Sequence, residues 1–220
     1  MIEFSNVDVS FDHQPVLSNV SFRVGRGEFV SLVGETGVGK TTLLRLIYFD
    51  LLPENGIVVV GDFDSSTIEK KDIPILRRTI GIVFQDFKLL EDRTVFDNIA
   101  FTLEVTGVKS GEISSRVLRA LSDVGLSHKR NNMPHELSGG EQQRVVIARA
   151  IVNQPMVVLA DEPTGNLDPT TSMEILQLLK KINAEGTAVL LATHNYDLVR
   201  KSKSRILQIQ EGKVEELTRL

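Results

Sequence analysis

The chain has no cysteine among its 220 residues, which excludes disulfides, thiolate metal sites and thiol redox chemistry. It has no excess of basic residues either: 25 Lys and Arg stand against 29 Asp and Glu, a formal charge of −4. Nucleic-acid binders usually carry a basic footprint, so this balance points away from them. No apolar run reaches the length of a bilayer span, and the opening MIEFSNVDVSF breaks any signal-peptide core with charge and polarity. A cytoplasmic protein that reaches a membrane only through a partner is therefore expected. Repeats, low-complexity tracts and flexible linkers are missing too, so the chain reads as one domain with an inserted lobe.

What is present is a regular alternation of element types. Partial alternation over Ile2, Phe4, Val7 and Val9, and again over Val20, Phe22 and Val24, predicts antiparallel strands of a small β lobe. Glu28 to Val33 predicts a strand running into a glycine loop, and Lys40 to Leu52 a helix stopped by Pro53. Further strands are predicted at Gly56 to Gly61 and Ile80 to Phe84. Helical spacing then covers Thr94 to Val105, Glu112 to Val124 and Gly140 to Val152. Two short apolar strands, Met156 to Ala160 and Ala188 to Ala192, flank an amphipathic helix, Thr171 to Ala184, ended by Gly186. Buried strands alternating with helices predict an α/β fold with a mainly parallel sheet covered on both faces. Residues 1–85 and 156–220 are expected to form the core and β lobe, and residues from about 86 to 150 a helical lobe.

Two glycine-rich stretches carry the chemistry. GETGVGKT, residues 34–41, fits G-x-x-x-x-G-K-[ST] through Gly34, Gly39, Lys40 and Thr41, following one predicted element and opening the next. Such a P-loop lets consecutive backbone N–H groups converge on phosphate, aided by the helix dipole. Lys40 suits the β and γ phosphates, and the Thr41 hydroxyl suits Mg²⁺. The strand MVVLA delivers Asp161 and Glu162 into the crevice at its C-terminal end, one acid for the metal and one to polarise water. Gln85 and His194 end two further strands at that edge, each a weak signal alone. LSGGEQQR, residues 137–144, places Ser138, Gly139 and Gly140 at a helix N-terminus, a second anion site that coexists with a Ser138-to-Glu141 capping box. The first loop already cradles one nucleotide, so the second should serve another molecule.

In their order, GETGVGKT, Gln85, LSGGEQQR, VVLADEP, Asn166-Leu167-Asp168 and His194 resemble the motif set of the ABC-type ATPases over essentially the whole chain. The resemblance implies a P-loop NTPase core and ATP-dependent head-to-tail homodimers, with each ATP held between one chain's GETGVGKT and its partner's LSGGEQQR. It implies a nucleotide site of Gly34, Thr36, Gly37, Val38, Gly39, Lys40, Thr41 and Thr42. Phe11 would stack on adenine, where the family more often has tyrosine, with Val16 beside it. Mg²⁺ would be held by Thr41, Gln85 and Asp161. Catalysis would fall to Glu162, His194 and Gln85, while Ser138, Gly139, Gly140 and Asp168 would act in trans. The segments Asp72 to Phe101 and Leu159 to Pro169 resemble the bacterial cell-division branch of the family. That branch implies an integral membrane partner, FtsX, and signalling to a cell-wall hydrolase. A lipoprotein-releasing or macrolide-type cassette is the nearest alternative. A soluble nucleic-acid-acting relative would need a coiled-coil insertion or a second fused cassette, and neither is present.

Overall fold

The computed structural model describes residues 1–218. At the front, β1 (Ile2–Phe11) and β2 (Gln14–Val24) form an antiparallel hairpin, turned by Asp12 and His13 in left-handed backbone. β1 buries Ile2, Phe4, Val7 and Val9, and an irregularity between Phe4 and Val7 resets the alternation so that all four face the core. β4 (Asn55–Val60) pairs with the other edge of β1, and the short β5 (Phe63–Asp64) follows it.

Among the described residues a second sheet has six strands. β3 (Phe29–Val33), β6 (Ile80–Val83), β7 (Val157–Asp161), β8 (Ala188–Thr193), β9 (Arg205–Gln210) and β10 (Lys213–Leu217) stand in the order β10-β9-β3-β8-β7-β6. All neighbours run parallel except β10, which hairpins back on β9. The predicted parallel core is present. The run after residue 204 carried no sequence assignment, although its Glu211–Gly212 turn, left-handed at both residues, suits a two-residue hairpin.

Helices cover both faces. α1 (Lys40–Ile47) lies with the β1–β2–β4 sheet on one side, against Val157, Leu159, Ala188, Leu190 and Ala192. α3 (Val95–Val105), α4 (Ser110–Asp123), α5 (Gly139–Ile151) and α6 (Pro169–Ala184) pack on the other, against Val158, Ala160, Val189 and Leu191. Successive side chains of β7 and β8 thus alternate between two apolar layers, which is why these strands read as unbroken hydrophobic runs. α2 (Ile73–Arg78) and α7 (Tyr196–Ser202) are short. α1 stops at Ile47, before the expected Leu52: the chain leaves the helix to bury Phe49 in left-handed backbone, and the Asp50 and Leu51 N–H groups both turn back to the Arg45 carbonyl.

Register positions the site. Val33 stands beside Thr193, Asp161 beside Ala192, and Val83 beside Ala160. Four strands therefore end together, and the residues just beyond them (the Gly34 loop, His194, Glu162 and Gln85) gather at one edge.

Candidate nucleotide site

Below the loop, Gly34 is required by close packing: a Cβ there would lie 2.7 Å from the Ile209 carbonyl of β9. Gly39 is required by its backbone, at φ 111°. α1 then begins with no side-chain cap at Gly39 and no carboxylate in its first turn. Its leading N–H groups are left for an acceptor from outside the chain, at the positive end of the helix. Val38 packs into the core beneath. Thr36, Gly37, Gly39, Lys40, Thr41, Thr42, Gln85, Asp161 and Glu162 together line a cleft of about 230 Å³.

Lys40 is 6 % exposed. Its Nζ donates to the Gly34 and Glu35 carbonyls at 2.8 and 2.9 Å and lies 3.3 Å from Glu162 Oε1. The Thr41 hydroxyl donates to Asp161 Oδ2 at 2.8 Å, tying α1 to the end of β7. Burial raises the Asp161 pKa above the usual carboxylate value; the Thr41 hydrogen bond opposes this and the Glu162 charge adds to it. Among the described residues no group of three His, Cys, Asp or Glu is set to hold a metal. The hard oxygens of Thr41, Asp161 and Gln85 instead fit Mg²⁺, which keeps several waters and shares its substrate's phosphates.

Glu162 leaves β7 in left-handed backbone, φ 46°, with its N–H donating to the Ala192 carbonyl at 2.9 Å. A non-glycine residue costs roughly 1–3 kcal/mol there, and such strain collects where a side chain must be aimed. The carboxylate is held between Lys40 and His194, whose Nδ1 is 2.9 Å from Oε1 and whose backbone N–H reaches Oε2 at 3.3 Å.

The second stretch lies apart from this cleft. Ser138 caps α5, its Oγ accepting from the Glu141 N–H at 3.3 Å while Glu141 Oε2 accepts from the Ser138 N–H at 2.9 Å. Asp168 caps α6, accepting from the Thr170 and Thr171 N–H groups at 2.9 and 3.0 Å and from the Thr171 hydroxyl. The Thr171 hydroxyl is the main cause of a lowered Asp168 pKa. The two caps touch: a Cβ on Gly139 would meet Leu167 at 3.3 Å, and one on Gly140 would meet Thr171 Cγ2 at 2.5 Å. Ser138, Gly139, Gly140 and Asp168 thus form one surface, separate from the cleft. Phe11 is exposed on the β1–β2 hairpin outside the cleft lining, whereas Val16 sits against Gly39, 3.1 Å from where its Cβ would be.

The ABC transporter family model matches residues 17–165. The cell division ATP-binding protein FtsE of Streptococcus pneumoniae is 48 % identical over 215 residues, 97 % of this chain and 94 % of that one. FtsE of Bacillus subtilis is 49 % identical over 213 residues, 96 % and 93 % of the two chains. The chain belongs to the ABC transporter family. It is an ATP-hydrolysing cassette of that family and binds nucleotide. The ATP-binding cassette MJ0796, in a dimeric post-hydrolysis state with ADP and Pi, superposes at TM-score 0.86 and 35 % identity, covering 99 % of this chain and 98 % of that one.

Two features of this ABC ATPase carry no sequence signal. Arg149 of α5 donates to the carbonyls of Lys88 and Phe87 at 2.7 and 3.0 Å, pinning the segment that follows Gln85 to the helix that Ser138 caps. The meeting of Lys40 and His194 on Glu162 is the other: each residue is legible by type, but not its partner.

Proposed function

We propose that this chain is the ATP-hydrolysing subunit of a membrane complex in bacterial cell division, working as a head-to-tail homodimer. One observation carries the ATPase chemistry: Lys40, Thr41, Asp161 and Glu162 meet at the start of an uncapped helix. Similarity over nearly the full length of proteins named for cell division supports the biological role.

The phosphates of ATP settle on the N–H groups between Thr36 and Thr42. Lys40 already spends two donors on loop carbonyls, so the γ-phosphate competes for the face of the ammonium now turned to Glu162. Drawing Lys40 to phosphate frees Oε1 of Glu162 to accept a proton from the attacking water, while the His194 ring stays on that oxygen and its backbone N–H holds Oε2. Thr41, Gln85 and Asp161 would hold Mg²⁺, which when bound would offset charge on the phosphates. Phe11 covers adenine beside Val16. Ser138, Gly139 and Gly140 of the opposing protomer close over the γ-phosphate, and the Asp168 loops cross at the dimer centre.

The membrane subunit, of the FtsX type, docks a cytoplasmic helix in a groove of about 430 Å³ between α2, α3 and the end of α5. Arg77, Thr102, Val105 and Arg149 line that groove. Arg149 links it to the Phe87–Lys88 backbone, and so toward Gln85. The complex sits at the inner face of the cell membrane. Purification of the native protein with its membrane subunit tests this reading. Recovery of an FtsX-type protein is expected; recovery of a lipoprotein-release permease instead would overturn the division role and leave the ATPase intact.

A further inference from the structure

A phosphate approaching the N-terminus of α5 meets a carboxylate already there. Glu141 Oε2 accepts from the Ser138 N–H at 2.9 Å and from the Ser138 hydroxyl at 3.0 Å, the two donors that a phosphate would use. Those bonds, the backbone one first, hold Glu141 below the usual carboxylate range, so it is charged at neutral pH. An anion cradle filled by its own anion repels its ligand unless the charge is offset.

The offset comes from a different part of the chain. Lys129, in the 3₁₀ turn Ser127–Lys129, puts Nζ 3.4 Å from the other Glu141 oxygen, Oε1. Its backbone is braced on both sides, its N–H donating to the Leu126 carbonyl and its carbonyl accepting from the Asn132 N–H, each at 2.9 Å. Both side chains of the pair are about three-quarters buried, with relative exposures of 28 % and 27 %.

We infer that Lys129 is a positioning residue for the second cradle: it offsets the Glu141 charge and draws that carboxylate aside, so that the Ser138 hydroxyl can turn to the γ-phosphate on the opposing protomer. The inference rests on the in-trans reading of Ser138 given above. A dimer contains two such junctions, so any effect on closure is counted twice.

The test uses the full chain with Glu162→Gln to trap ATP-bound dimers, and reads by sedimentation the ATP concentration at half-dimerisation. Lys129→Met is expected to raise it about tenfold, from roughly threefold at each of two partly exposed pairs. Lys129→Arg, which keeps the charge, should stay within about twofold of the parent. Lys129→Met combined with Glu141→Gln should return to within about threefold, because no charge remains to be offset. Parent-like dimerisation of Lys129→Met, or a defect that Glu141→Gln does not relieve, overturns the inference. Ser138→Arg is the separate arm. If it blocks dimerisation while Lys129→Met does not, only the role of Lys129 fails; if it dimerises like the parent, the in-trans reading itself fails.

Discussion

α1 and α5 both begin in glycine-rich loops, yet their N-termini are built in opposite ways. α1 has no side-chain cap and no acid in its first turn, and the groups around it come from far along the chain: Thr41 bonds Asp161 across 120 positions and Lys40 approaches Glu162. α5 is capped by its own sequence, Ser138 and Glu141 satisfying each other three residues apart, and the nearby Asp168 cap is equally local. The first loop holds unclaimed donors, ready for phosphate. The second is satisfied by itself and has to exchange one acceptor for another. A site open at rest suits the nucleotide that a single chain binds. A site closed at rest suits one offered only when two chains meet.

The largest expected effect is at the first loop. Glu162→Gln keeps the shape of the site and removes the base, so steady-state hydrolysis should fall about 10²- to 10⁴-fold while ATP binding persists and dimers accumulate. Turnover at the wild-type rate would remove Glu162 from its role. Ser138→Arg should come next. Binding of a fluorescent ATP analogue to the monomer is expected to remain within about twofold of wild type, with ATP-driven dimerisation lost, because the bulk and charge lie only on the second surface.

Gly140→Ala separates packing from phosphate binding. The added methyl would sit 2.5 Å from Thr171 Cγ2, on a side chain fixed by its hydroxyl bond to Asp168. A cost of about 1–3 kcal/mol is expected, lowering Tm by roughly 2–4 °C per kcal/mol. Adding Thr171→Ser removes the opposing methyl, keeps the hydroxyl, and should recover most of the loss. The smallest effect concerns pH. Burial raises the Asp161 pKa, so the folded state binds that proton more tightly than the unfolded chain. Below the unfolded carboxylate range no cost is present; as pH rises through the folded value, the cost of the buried charge develops and persists. Asp161→Asn should therefore melt slightly higher than wild type at pH 7 without nucleotide, and the advantage should vanish in acid. An advantage that grew on acidification would contradict this.

The contrast also explains what could be read from the sequence. The Ser138–Glu141 box was legible because both partners lie within one helical turn, and β7 and β8 were legible because burial on both faces leaves unbroken apolar runs. P-loop spacing gave Lys40 and Thr41, the end of an apolar strand gave Asp161 and Glu162, and the family resemblance gave His194 its role. The pairing of Lys40 and His194 on one carboxylate, however, depends on strand register, which no local pattern encodes. Gly34 and Gly140 were read as phosphate glycines; each also answers a packing demand, from Ile209 and from Thr171, set by elements at least thirty residues away. Arg149 has no local signal, because its partners, the Phe87 and Lys88 carbonyls, reach it only through the fold.

The central claim is that the two loops of one chain serve two different ATP molecules, and mixing two disabled chains tests it directly. Lys40→Ala damages only the first loop and Ser138→Arg only the second, and each alone should be nearly inactive. In a mixed dimer, the intact first loop of one chain faces the intact second loop of the other. ATPase activity well above the sum of the separate proteins is predicted on mixing. Activity equal to that sum would mean that both loops act within a single chain.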